Sequence, residues 1–391
     1  MRILYSAIDQ SVPAAHGGSV HVTAVAQGLA ALGHEVHALV SPSGQPFPAG
    51  PVRWRSMRPP GGIRQLRVAR ASAVHRVALE VRPDLVMERY YNFGGEGLIA
   101  ARRIGVRAVL EVNTPVVDRP GSLKQRLDQC LLVQPMRRWR EWQCRAADLI
   151  VTPSARILPD QVPPERVLQI EWGADTTLFR PDARGAVPVS RSDSDIVAVF
   201  AGAFRAWHGA IHLVEAIGRL RARGRLDVKA VLVGDGPELA RVRRAAEGIE
   251  GVTFTGALPH ERVPACLAAA DIGVAPFDVA AHPTLMREFH WSPLKVFEYM
   301  AAGLPVVTPR IARLEAIVRD GREGLLYDAA DPDGLAGALE RLREPGLRRR
   351  LGAAARDRVV GEFSWEEHCR RLDRAFEGLR TGDRSKQACA S

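Results

Sequence analysis

The segment 292–308, SPLKVFEYMAAGLPVVT, reads as a helix, a stop and a strand in direct succession. Proline suits the first helical position, where its missing N–H is not needed and its φ is already helical, so the helix is expected from Pro293. Gly303 follows Ala302 as the stop, because a left-handed C-terminal turn favours glycine. Pro305-Val306-Val307 then resumes as a strand. Lys295 and Glu298 lie three apart and share one helix face. A helix N-terminus with a lysine in its first turn and a glutamate one turn on suits a diphosphate and a ribose diol together. The same spacing also describes a plain solvated ion pair.

The alternation of helix and strand extends outward from this segment. Strands are expected at 196–201, 228–233, 252–255, 272–275 and 304–307, separated by helices at 209–223, 238–247, 261–270 and 293–302. In the first half, strand 2–8 leads through a polar loop to a helix from Val20 to Leu32 that Gly33 stops. Strands follow at 34–40, 84–88, 107–112 and 148–151, with a helix at 94–103. Repeated βαβ order implies parallel sheets and an α/β class. Between 180 and 195 (RPDARGAVPVSRSDSD) apolar content collapses, the mark of a linker. The reading is two doubly wound, Rossmann-like domains, 1–182 and 194–363, joined by 183–193 and facing a central cleft. A last amphipathic helix at 364–380 opens with Ser364 as cap and Glu367 at the capping-box position. Residues 381–391 read as a tail.

Composition sets the bounds on function. The chain has 391 residues, 46% hydrophobic and 25% charged, average for a soluble protein and incompatible with wholesale disorder or a fibrous repeat. Cys130, Cys144, Cys266, Cys369 and Cys389 are odd in number and contain no C-x-x-C pair, so neither a disulfide scaffold nor a cysteine zinc site is expected and a reducing compartment fits. Asp9 interrupts the N-terminal apolar run before it reaches signal-peptide length. No apolar run is long enough to cross a membrane, and a cytoplasmic protein is expected. The net charge of +10 raises nucleic acid as a partner. Only Lys124, Lys229, Lys295 and Lys386 are lysines, however, and a surplus of arginine alongside abundant alanine and glycine reads as codon bias. Aromatics are 6% and no RNP, helix-turn-helix or zinc-finger signature is present, so no nucleic-acid partner is expected. The four scarce lysines become the informative cations.

Gly17-Gly18 stands between the first strand and the helix near Val20, where bare backbone N–H groups suit a phosphate or simply make a tight turn. The spacing is neither G-x-G-x-x-G nor a P-loop, which removes the main support for a dinucleotide oxidoreductase or a P-loop ATPase. Gly234-Asp235-Gly236-Pro237 is a strand-to-helix turn. His208 and His212 have zinc-type i, i+4 spacing but no H-E-x-x-H carboxylate, and no metal is expected.

Four blocks in this order resemble the retaining nucleotide-sugar glycosyltransferases of family 4, which have the GT-B fold. They are Gly17-Gly18 with LAALGHEVHAL (29–39), VTPS with IEWGADTTLFRP (151–181), VGDGPEL (233–239) with FTGALPHERVPACLAAADIGVAP (254–276), and FEYMAAGLPVV (297–307). The resemblance implies that Glu298 is the second glutamate of an E-x7-E motif, which holds the donor ribose. The first falls on His290, with Glu288 two residues off register. The family's diphosphate-binding stretch reads Gly202-Ala203-Phe204-Arg205-Ala206-Trp207-His208-Gly209 here, with Ala203 at the arginine position and His208 at the lysine position. Arg205 and Lys295 are then the cations for the departing diphosphate, with His208 a third contributor. Gly17, Gly18, Gly234, Gly256, Leu258, Ser292, Pro293, Leu294 and Glu298 are the expected donor-binding positions. A first-domain histidine common in the family has no counterpart after VLEVN, which makes Glu111 and Asn113 candidates for substrate contact, beside Glu88-Arg89-Tyr90.

The resemblance also implies a UDP- or GDP-type donor, front-face retaining transfer to a hydroxyl, and no metal cofactor. The acceptor is open between a bacterial secondary metabolite such as an aminocyclitol and an envelope glycan or lipid. Segment 122–146, with Arg137, Arg138, Arg140, Arg145, Trp139 and Trp142, is a candidate for peripheral membrane contact, although Pro135 interrupts it. Two further readings stay open: the same fold acting as a nucleotide-sugar epimerase or hydrolase, and a non-catalytic basic binding protein.

Overall fold

The computed structural model describes residues 1–14, 16–116, 123–131, 134–183, 191–282 and 289–382. The chain forms two compact units. Unit 1 comprises Met1–Trp172, His290–Ser292 and the chain from Trp365 onward; unit 2 comprises Gly173–Phe289 and Pro293–Ser364.

Unit 1 is built on seven parallel strands: β1 (Arg2–Val12), β2 (Glu35–Pro42), β3 (Arg53–Ser56), β4 (Leu85–Arg89), β5 (Arg107–Glu111), β6 (Leu149–Thr152) and β7 (Val167–Gln169). Their spatial order is β3-β2-β1-β4-β5-β6-β7. The connecting helices are α1 (Gly17–Ala31), α2 (Ala71–Val81), α3 (Glu96–Ile104), α4 (Leu123–Cys130) and α5 (Pro135–Ala146). Strand order reverses between β1 and β4, the point at which doubly wound sheets open a crevice at their carboxyl ends. Strand β1 runs four residues past the expected 2–8 because a register shift between Ala7 and Ser11 lets it keep pairing with β2, as a bulge does.

Unit 2 has six parallel strands, β8 (Ile196–Ala201), β9 (Val228–Val233), β10 (Val252–Gly256), β11 (Ile272–Val274), β12 (Val306–Pro309) and β13 (Gly324–Tyr327), in the order β10-β9-β8-β11-β12-β13. Its helices are α6 (Ala210–Ala222), α7 (Leu239–Ala245), α8 (Val263–Ala268), α9 (Leu294–Ala301), α10 (Ala312–Ile317), α11 (Gly334–Arg341) and α12 (Pro345–Glu362). Phe200, Leu213, Ile217, Leu232 and Leu339 are among the fully buried side chains of its core.

The terminal helix α13 (Trp365–Thr381) belongs to unit 1. Its buried residues include Trp365, His368, Cys369, Leu372, Phe376 and Leu379, an i, i+3, i+4 stripe. That stripe lies on α1, so closely that a Cβ at Gly28 would stand 2.4 Å from Cys369 Sγ.

Three expectations need correction. Residues 173–182 group with unit 2, not with the first domain, because Arg356 on α12 ties them there by donating to Thr176 O (2.9 Å) and Phe179 O (2.8 Å). Helix α1 starts at Gly17 instead of Val20: His16 caps it, with Nδ1 accepting from Ser19 N (3.1 Å), so the glycine pair is the first helical turn. Helix α9 starts at Leu294, with Pro293 as its cap residue. Most of the expected linker, 184–190, and most of the expected tail, 383–391, lie outside the described residues. Segment 122–146 splits into α4 and α5, and Pro135 opens the second helix, as its ring geometry favours. Among the described residues no helix is long and apolar enough to cross a membrane.

If α13 is part of the unit 1 core, Phe376→Ala, at a fully buried position, will destabilise that unit by about 3–5 kcal/mol. Denaturant unfolding should show an earlier first transition; an unchanged midpoint would place the helix outside the core.

Candidate functional site

In unit 2, three adjacent strands end in glycines held at positive φ: Gly202 after β8 (149°), Gly234 after β9 (129°) and Gly256 closing β10 (69°). The strand ends are hydrogen-bonded in series, Gly202 N to Val233 O (3.0 Å) and Gly234 N to Gly256 O (2.8 Å). A Cβ at Gly234 would stand 2.0 Å from Gly202 O, and one at Gly236 would stand 2.7 Å from Phe204 N. No side chain fits between these loops. The result is a bare backbone floor at the carboxyl edge of the sheet, where open α/β folds take their ligands. Leu258, two residues past Gly256, is half-buried beside it.

Lys295 reaches this floor from the first turn of α9. A Cβ on Gly202 would meet its Nζ at 3.0 Å and His208 Nδ1 at 3.7 Å. The ammonium sits 4.3 Å from the Phe200 ring centre and 5.4 Å from that of Phe277. Lys295 is 9% exposed, and its Nζ has no hydrogen-bond partner among the described residues. Burial pushes its pKa down to about 7, with the Glu298 charge opposing. The Glu298 carboxyl is pushed up to about 7, by burial first, with Lys295 opposing. An unpaired, nine-tenths-buried cation needs an anion to offset its desolvation. The first backbone N–H groups of α9, at Leu294 and Lys295, lack helical acceptors and favour negative charge in the same place.

Tyr299 sets the position of α9. Its hydroxyl accepts from Ala201 N (2.7 Å) at the end of β8. Its ring fills the space where a Cβ on Gly273 of β11 would stand 2.5 Å away. The helix is thereby locked against two strands, one turn beyond Lys295. Neither Tyr299 nor Gly273 stood out in the sequence, since a tyrosine on an apolar helix face and a glycine in a strand have no distinctive spacing.

Other expected unit 2 residues divide. Arg205 stands exposed at the start of a short 3-10 turn, Ala206–His208. His208 is buried, and its Nδ1–H donates to Ala203 O. Burial, and then the Lys295 charge, hold its pKa down to about 3. It is neutral at physiological pH and offers a hydrogen bond instead of a third positive charge. His212 turns to Glu215 (3.2 Å) and Asp278 (3.6 Å).

Ser292 belongs to unit 1, and its hydroxyl is committed there, donating to Glu171 Oε2 (2.5 Å) and accepting from Trp172 N (3.0 Å). This is a structural clasp within unit 1. His290, buried against Trp291 at 5.2 Å between ring centres, lies in the same unit; Glu288 is outside the described residues.

In unit 1 the two candidate contact residues are spent on each other and their neighbours. Glu111, 2% exposed, accepts from Tyr5 OH (2.5 Å), Arg89 Nη1 (3.0 Å) and Asn113 Nδ2. Asn113 Oδ1 accepts from Trp172 Nε1 (2.8 Å). Burial raises the pKa of Glu111, with Arg89 opposing. These side chains are engaged with one another and their neighbours at the carboxyl edge of the sheet. A first-domain histidine lies beside them, on a helix and not in the stretch after VLEVN. His21 on α1 places Nε2 3.2 Å from Glu111 Oε1 and accepts from Arg89 at Nδ1 (3.2 Å). Burial and Arg89 hold it well below its usual pKa. Its position five residues after His16, on a helix instead of a strand end, hid it.

Glu88 belongs to a second buried hub. Arg67, fully enclosed, donates to Glu96 (2.7 Å), Glu88 (3.2 Å) and Asp9, while Glu88 also accepts from Gly95 N (2.5 Å) and Leu98 N (2.9 Å). Gly18 faces Gln10, whose Oε1 would lie 2.2 Å from a Cβ there, so that turn is filled from within the protein. On α5, Trp139 and Trp142 stack at 4.6 Å against the Gly94-Gly95 turn, and Arg140 is buried on Val116 O (2.9 Å). Half of the proposed membrane-facing residues of that helix therefore face protein.

Glycosyltransferase Family 4 matches residues 15–178, and Glycosyl transferases group 1 matches residues 195–344. An MMP alpha-(1->4)-mannosyltransferase of Mycolicibacterium hassiacum is 29% identical across 90% of this chain and 92% of its own. A GDP-mannose-dependent alpha-mannosyltransferase of Corynebacterium glutamicum is 26% identical across 77% of this chain and 68% of its own. The solved sucrose-phosphate synthase of Thermosynechococcus elongatus shares the fold, with a TM-score of 0.73 over 98% of this chain and 100% of that one at 21% identity. Two Rossmann-like units with these matches place the chain in the family 4 glycosyltransferases of GT-B architecture, and it is a hexosyltransferase.

Proposed function

We propose that the protein transfers a hexosyl group from a UDP- or GDP-type nucleotide sugar to a hydroxyl acceptor with retention of anomeric configuration, its donor diphosphate seated on the carboxyl edge of unit 2. The observation that carries this reading is the partnerless, buried ammonium of Lys295 beside the start of α9. A diphosphate there would replace the water that Lys295 has lost and would accept from the free N–H groups of α9. Exposed Arg205 supplies a second cation, whose planar guanidinium can chelate two phosphate oxygens. Glu298, one turn along α9, is the acceptor for the ribose diol, and neutral His208 adds a hydrogen bond.

In the transfer, the bond from the anomeric carbon to the diphosphate oxygen breaks and its electron pair stays on that oxygen. The acceptor oxygen bonds the same face of the anomeric carbon, and its proton passes to the diphosphate. Stabilising the leaving charge is the main task, and Lys295, Arg205 and α9 perform it without a divalent ion. The acceptor is a small-molecule or lipid-borne hydroxyl; the mannosyltransferase relatives support a mannosyl donor in any first panel.

Because Lys295 titrates near pH 7 in the free protein, its ammonium is present below that pH and lost above it. A bound diphosphate must hold it protonated. Nucleoside diphosphate binding should therefore weaken as pH rises above 7 and take up a proton, read by calorimetry in buffers of different ionisation enthalpy. Lys295→Ala should lose the uptake and weaken binding at least tenfold, about 1.4 kcal/mol. Equal affinity in variant and parent would sink the assignment.

With an α-linked UDP- or GDP-sugar, proton NMR of the first product should show an α linkage, and a chelator should leave the rate unchanged. A β-linked product would overturn retention, and loss of rate with the chelator would overturn metal independence.

A further inference from the structure

The Lys295 ammonium has no hydrogen-bond partner among the described residues, yet it is held in place. Two aromatic rings flank it: Phe200 of β8, with its centre 4.3 Å from Nζ, and Phe277 of the segment after β11, at 5.4 Å. Both lie within the roughly 6 Å at which a cation is drawn to the electron-rich face of a ring.

Neither ring is free to turn aside. Phe200 is fully buried and lies edge-on to Phe204, with 5.4 Å between ring centres. Phe277, also buried, stacks on Trp207 (6.2 Å between centres, 11° between planes) and packs against Phe289 (4.8 Å). Its backbone is bracketed by Phe277 N donating to Ala275 O (2.9 Å) and Asp278 N donating to Trp207 O (3.0 Å). A Cβ on Gly209 would collide with Pro276 O, and Gly209 sits at a φ of 67° that favours glycine. The close approach that brings Phe277 beside Lys295 therefore depends on a missing side chain.

A carboxylate in the place of these rings would neutralise Lys295 and compete with an incoming anion for its N–H donors. A ring face offsets part of the desolvation cost of the ammonium and carries no net charge to repel a diphosphate. The charged and titratable groups nearby leave that role to the rings. Glu298 lies one turn along α9, Asp278 turns to His212 (3.6 Å), and Arg205 is exposed and of like charge. Neutral His208 lies against the same rings, 6.5 Å from Phe200 and 6.4 Å from Phe277 between centres. We propose that Phe200 and Phe277 are positioning residues for the transfer, their faces keeping Lys295 as an ammonium aimed at the Gly202 floor before the donor arrives. The use of that ammonium rests on the donor-site reading above; how it is held rests on the ring geometry alone.

The chain has four lysines, so NMR of the full chain labelled with carbon-13 at lysine Cε follows Lys295 directly, and Lys295→Arg assigns its resonance. Phenylalanine carrying one, two or three ring fluorines in place of Phe277, and separately of Phe200, keeps shape and burial while weakening the negative face. The Lys295 titration, near pH 7 in the parent, should fall stepwise, by about one pH unit with three fluorines, at an unchanged melting temperature. UDP or GDP affinity should then drop about tenfold at pH 8 and keep the parent value at pH 5, where the ammonium is present in both proteins. A titration that ignores fluorination at both rings overturns the proposal, as does an affinity loss that is equal at pH 5 and pH 8. If the titration falls stepwise while the parent binds neither UDP nor GDP, the ring contact stands and it is the donor-site reading that fails.

Discussion

The carboxyl edge of unit 2 depends on two loops approaching with nothing but backbone between them. Gly202 and Gly234 admit each other's peptide groups at a separation that any side chain would close, and Gly236 does the same against Phe204. The Lys295 ammonium reaches the same floor beside Gly202, with the aromatic rings of Phe200 and Phe277 next to it. Tyr299 then fixes the distance from the other side through Ala201 N and the missing Cβ of Gly273. A single methyl at Gly234 would stand 2.0 Å from Gly202 O, so the two loops would have to part.

Much of the fold was legible because apolar runs bounded by glycine and proline are strong signals. Strands 196–201 and 228–233 match residue for residue, and Lys295 stood out as one of four lysines before its burial was known. The elements that escaped have physical reasons. Strand β3, RWRS, has no fully buried residue, and β7 is three residues long, both at sheet edges. The surroundings of the unit 1 candidates are not legible in the sequence for a different reason. Glu111 and Asn113 do stand at a strand end, but sequence position cannot tell a side chain aimed at solvent from one consumed by Tyr5, Arg89, His21 and Trp172. Ser292 groups with unit 1 and Pro293 with unit 2, a change of unit that residue spacing does not mark.

The arginine surplus turns out to be less a surface charge than a supply of long forked donors. Arg356 ties α12 to three carbonyls, at Thr176, Phe179 and Ala301. Arg221 spans Glu250 O and Val228 O, and Arg166 closes the end of α5 through Cys144 O. Planar guanidinium groups satisfy several acceptors at once with little rotamer loss for each bond, which loops between parallel strands need in number. Net charge therefore overstates how much of the surface is free to attract an anionic partner.

Helix α13 closes the sheet on which the chain began. When the chain is made on a ribosome, α1 emerges with an apolar stripe that Cys369, Leu372 and Phe376 will cover only after unit 2 has been synthesised. Unit 2, which lies almost entirely between those two moments, has every strand of its own before then. The N-to-C order of domain maturation is thus inverted: unit 2 is complete first, and nascent unit 1 waits, partly uncovered, for α13 to arrive.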